Sequence, residues 1–131
     1  MREIKFRAWV KDRKAIFEVV LINYVTKKVT YLLERVGHLL SIRDEKFNNI
    51  ILMEYTGLKD KNNKEIYEGD IVKLRANHGI GVIKYSDEWG AFVVEYIKPR
   101  PLVVLGMNYY KEDIEVIGNI YENSELLGEN K

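Results

Sequence analysis

A chain of 131 residues with 21 basic and 20 acidic side chains, a formal charge of +1 and no cysteine excludes several classes at once. Disulfides, thiolate metal sites and cysteine nucleophiles are ruled out, and the basic excess that drives duplex-DNA binding is missing. No apolar run approaches the ~20 residues of a membrane-spanning helix and no signal-peptide core opens the chain, so a cytoplasmic protein of one domain, or two small subdomains, is expected.

Residues 4–9 alternate with period two, which puts Ile4, Phe6 and Ala8 on one strand face. A charged turn at 11–14 separates them from residues 16–22, and Thr26-Lys27-Lys28 separates those from 29–33. Both runs are rich in the β-branched and aromatic residues that suit a pleated surface. The stretch 34–49 has no clear period. Ser41 as a cap, with Asp44 and Glu45 in a first turn, predicts a short helix over 41–47.

Strand resumes at 50–55. Residues 60–64 then read as a polar turn with Asn63 in the left-handed region, which asparagine tolerates better than most residues. Gly69-Asp70 is a second turn, launching a strand over 71–74. Residues 79–85 and 91–96 form a hairpin across Ser86-Asp87-Glu88-Trp89-Gly90. Pro99 and Pro101 force an extended loop around Arg100, and 102–105 and 114–120 complete the strands. Short strands at this spacing predict a mainly β fold. Four of them, 19–22, 50–53, 91–94 and 102–105, are apolar on both faces and need cover on both sides. Another subdomain or a second copy of the chain must supply it, and a homo-oligomer is expected.

Three tracts carry a resemblance. The opening strand at 4–9, Thr56-Gly57-Leu58-Lys59-Asp60 with Glu65-Ile66-Tyr67-Glu68-Gly69-Asp70, and the closing tract 115–123 resemble, in this order, the YopX-like family of small phage and prophage proteins. Val10 stands where an aspartate is common, Asn63 where glycine is common and Ser124 where proline is common; all three read as changes of turn chemistry. The resemblance implies an N-terminal β-rich subdomain over 1–55, a possible dimerisation element, and an SH3-like barrel over 56–131. It implies no catalytic residue.

Candidate chemistry is sparse. The segment 60–65 is a poor calcium loop, because Lys64 sits where an oxygen ligand is needed and Glu65 where glycine is needed. His38 and His78 lack partners at metal-ligand spacing. Ser41, Ser86 and Ser124 lack a nucleophile elbow, and the pairs Asp87-Glu88 and Glu112-Asp113 read as solvated turns rather than acid–base dyads. His78-Gly79-Ile80-Gly81 precedes a strand, so it lacks the helix N-terminus of a phosphate cradle. No catalytic, cofactor or metal residue is assigned.

Binding is better supported. Aromatic residues crowd the C-terminal half, Tyr109 and Tyr110 among them, and Tyr85, Trp89 and Tyr96 with Arg100 are the candidate partner-binding set. The competing reading is that such tyrosines straddle the edge of a core. The expectation is a non-enzymatic, self-associating protein-interaction or regulatory module with a protein partner and no cofactor. A single-stranded nucleic-acid-binding barrel is the alternative, and a small hydrolase comes third.

Overall fold

The computed structural model describes residues 3–75, 79–96, 103–105 and 111–128. The chain is mainly β and divides into two units, one of Ile4–Glu54 and one of Met1–Glu3 with Tyr55–Lys131. Among the described residues no helix is long and apolar enough to cross a membrane.

The N-terminal unit is an antiparallel sheet of β1 (Phe6–Val10), β2 (Ala15–Asn23), β3 (Lys28–Val36), β4 (Leu39–Lys46) and the first half of β5 (Ile50–Lys59), in the order β4-β3-β2-β1-β5. Register follows the apolar alternation. Ala8 pairs with Phe17 and Leu52, and Val10 with Ala15 and Ile50, so one face collects the small and branched residues. Ala8, Val10, Val29, Tyr31 and Ile50 make a buried cluster, against which Phe17, Val19 and Leu52 pack. Lys14 and Lys27 adopt positive φ where the β1–β2 and β2–β3 connections turn.

One expectation fails here. Residues 41–47 are not a helix: β4 occupies Leu39–Lys46, and one 3-10 turn at Phe47–Asn49 follows, with no side-chain cap. Ser41 accepts a hydrogen bond from Arg43 Nη1 instead of capping. Pairing with β3 from Lys28↔Lys46 to Val36↔Leu39 supplies a full ladder, which outweighs the weak local preference for helix. Val10 opens the 11–14 turn, its carbonyl accepting the N–H groups of Arg13 and Lys14, and it has a second role as well. It ends β1 and is completely buried, so its apolar side chain is a core requirement.

In the C-terminal unit the second half of β5 pairs with β6 (Glu65–Tyr67). β7 (Asp70–Leu74), β8 (Ile80–Ser86), β9 (Ala91–Tyr96) and β10 (Val103–Val104) form a meander, and β11 (Ile114–Asn119) returns beside β7. A 3-10 turn, Lys111–Asp113, leads into β11. A four-strand meander closed by a last strand against the first is the arrangement of an SH3-like barrel. The Gly69-Asp70 turn feeds β7, and β7 pairs with β8 of the hairpin, as expected. Ile66, Val72, Leu74, Ile83, Val94, Leu105 and Ile114 are the core. A Cβ on Gly81 would lie 2.5 Å from Val94 Cγ1, so the hairpin closes over the core only with glycine there. A short helix, α1 (Glu125–Gly128), follows Ser124.

Two of the strands apolar on both faces differ, and of the run 102–105 residue 102 lies outside the described residues. In β9, neighbours Val93 and Val94 are both buried, whereas in β2 Val20 and Leu21 are exposed.

Candidate interaction surface

The tract 56–72 is a set of backbone clamps. Thr56 Oγ1 donates to the Ile66 carbonyl at 2.8 Å and accepts the Leu58 N–H, while Gly57 takes a positive φ between them. Asp60 is buried. Its Oδ1 accepts the N–H groups of Asn62 (2.8 Å) and Lys64 (2.9 Å), and its Oδ2 accepts that of Val116 on β11 (2.9 Å). Burial pushes its carboxyl upward, yet the three N–H donors with the Lys64 charge outweigh this and hold it below the ordinary aspartate value. Asp70 likewise accepts the Tyr67 N–H, and Gly69 both donates to Ile83 O and accepts from Ile120 N. Each of these oxygens is bonded to a backbone group, and so these side chains position strands.

The closing tract follows the same logic. Asn119 Oδ1 accepts the N–H groups of Tyr121 and Glu122, and Asn123 Oδ1 accepts the Asn119 N–H. A Cβ on Gly118 would meet Asn123 Oδ1 at 2.6 Å, which reserves that position for glycine.

The four partner-binding candidates do not form one described patch. Tyr85 pairs with Phe92, and Tyr96 with Gly81, so both tyrosines lie on one face of the hairpin but ~13 Å apart along it. Tyr96 packs against the core cluster. Tyr85 is 47% exposed, with its ring edge-on to Phe92 at 5.3 Å, and Trp89 in the turn is 61% exposed. Arg100, like Tyr109, Tyr110 and His78, lies outside the described residues.

Charged residues line a cleft of about 250 Å³ beside β7 and β11. Here Lys61 faces Glu115 at 3.5 Å, and Arg75 faces Asp113 at 3.4 Å. One carboxylate of the Glu112-Asp113 pair is thus held by a cation. Among the described residues no group of three or more His, Asp or Glu is placed to hold a metal.

A group of exposed apolar residues sits elsewhere, on the β3–β4 hairpin. Val36 is 60% exposed, Leu39 76%, Leu40 54% and Ile42 48%. β4 is the outermost strand of its sheet. Reading 41–47 as helix hid this surface. The signal for it was present, as Gly37-His38 between Val36 and Leu39 is a two-residue hairpin turn and Leu40 and Ile42 alternate with Ser41 and Arg43.

Comparison with known proteins agrees with the geometry. No curated protein matches the chain. Protein EF1440 from Enterococcus faecalis, known from a crystal structure, is 30% identical, with a TM-score of 0.65 over 97% of this chain and 99% of that one. The crystal structure of protein yopX from Bacillus subtilis superposes with a TM-score of 0.59 at 24% identity, over 96% of this chain and 98% of that one. The YopX protein family matches residues 5–128, the whole span from β1 to α1, and the chain belongs to that family.

Proposed function

We propose that this YopX-family protein is a non-enzymatic, self-associating interaction or regulatory module of prophage origin, working in the bacterial cytoplasm through protein contacts. The observation that carries this reading is the exposed apolar set Leu39, Leu40 and Ile42 on the outermost strand β4, with Val36 beside it on β3. Large apolar side chains grouped on an open sheet edge invite association, and native proteins normally cover or charge such edges. The near-zero net charge favours apolar docking over phosphate binding, and the buried carboxylates at 60 and 70 are engaged by backbone N–H groups.

Light scattering of the full chain tests the reading, with a dimer or larger closed assembly expected at tens of micromolar. A strict monomer overturns self-association. Retention of single-stranded oligonucleotides that falls steeply with added salt would move the assignment to the nucleic-acid-binding barrel.

A further inference from the structure

We infer that two copies of the chain join antiparallel along β4, about a two-fold axis at Ser41, so that the N-terminal sheet of one copy continues into that of the other. This names the partner and register of the surface proposed above and rests on that self-association.

The backbone of β4 has one side to spare. Phe47 N–H donates to Lys27 O, which places the odd-numbered residues of this strand toward β3. The even-numbered residues, Leu40, Ile42, Asp44 and Lys46, therefore direct their N–H and C=O groups outward. Local side chains cover the charged end of that edge: Glu45 Oε1 accepts the Lys46 N–H, and Arg43 Nη1 donates to the Ile42 carbonyl, which keeps a second lone pair. No described side chain covers the backbone of Leu40. The open stretch is Leu40 to Ile42, where the exposed apolar side chains also lie.

Self-pairing is selected by the order of residues. Outward groups meet outward groups only when even positions face even positions. With Ser41 on the axis, Leu40 faces Ile42 of the second copy, twice, joining four apolar side chains in one row. Leu39 then faces the aliphatic stem of Arg43, and His38 comes opposite Asp44. Moving the axis to Ile42 sets Leu40 against Asp44. Placing it at Arg43, Asp44 or Glu45 puts like charges directly opposite each other, which destabilises a pair. The apolar stretch Leu40–Ile42 thus pairs with a reversed copy of itself when Ser41 lies on the axis, and loses that pairing when the axis moves toward the charged end. The two-fold also closes the edge, leaving no open template for a third strand.

The cysteine-free chain makes the test clean. Paired residues flanking the axis at a non-hydrogen-bonded position sit ~4.5 Å apart between Cα atoms, within disulfide reach. Ser41→Cys, treated with oxidised glutathione, is expected to convert most of the protein to a covalent dimer, with Arg43→Cys at least tenfold slower. Arg43→Cys cross-linking as fast as Ser41→Cys overturns the register. If neither links while the wild-type chain scatters as a dimer, the β4 edge is wrong and self-association stands; a monomeric wild-type chain removes both. Ile42→Pro gives a second reading, because its lost N–H faces away from β3. It is expected to be monomeric with an unchanged circular dichroism spectrum, and a folded, dimeric Ile42→Pro overturns the pairing. Should that variant unfold, the Ser41→Cys and Arg43→Cys comparison decides alone.

Discussion

Asp60 and Val116 are joined by a 2.9 Å hydrogen bond from the Val116 N–H to Asp60 Oδ2, tying the 60–64 turn to the closing strand β11. The Lys61 N–H donates to Ile114 O beside it, so the turn is held at two points. One buried carboxylate satisfies three backbone donors that would otherwise be stranded. Hydrogen bonds to a charged group are worth ~1.5–3 kcal/mol each, and unsatisfied buried donors cost ~1–3 kcal/mol. Asp60→Ala is expected to lose on the order of 3 kcal/mol or more in urea unfolding at pH 7. The folded-state carboxyl lies below its unfolded value, so its contribution is complete above the unfolded value of ~3.9 and disappears as pH falls through the lower folded value. The stability gap between the wild-type chain and Asp60→Asn should therefore be widest near neutrality and narrow in acid. A gap independent of pH would mean that the charge plays no part.

Asn63 sits at φ 65°, in the left-handed region expected of it. Asn63→Gly removes the strain and gives up only an exposed contact with Lys111 Nζ, so it should be neutral or stabilising. Asn63→Val places a β-branched side chain at positive φ and should cost on the order of 1 kcal/mol or more. Denaturation midpoints of the two variants, compared with the parent, check this; a valine variant as stable as the parent contradicts it.

Trp89 and Tyr96 should part company on mutation. Trp89→Ala removes an exposed ring from a turn and is expected to change stability by less than ~0.5 kcal/mol. Tyr96→Ala removes a ring packed against the core cluster and should cost at least ~2 kcal/mol. Thermal unfolding separates the two. Equal effects would mean that the hairpin face is not divided between core and solvent.

Much of this protein was legible one turn at a time. Asn63, Gly69 and Asp70 announce their backbone angles because the demand for positive φ or a local carboxylate acceptor is settled within a few residues, and the neighbouring strands followed from period-two alternation. The family signature was readable for the same reason, being made of such turns. Pairing was not local. Residues 41–46 became a strand because β3 offered a ladder beside them, and no property of Ser41, Asp44 or Glu45 alone carries that information. Val10 became core because β2 and β5 flank it on both sides. Tyr85, Trp89 and Tyr96 look alike in a sequence, yet burial depends on what stands opposite, and only the packing separates Tyr96 from Trp89. Turn chemistry is short-ranged and therefore written in the residues themselves; which strand edge is left open, and so where this protein can be joined by another, is a property of the assembled sheet.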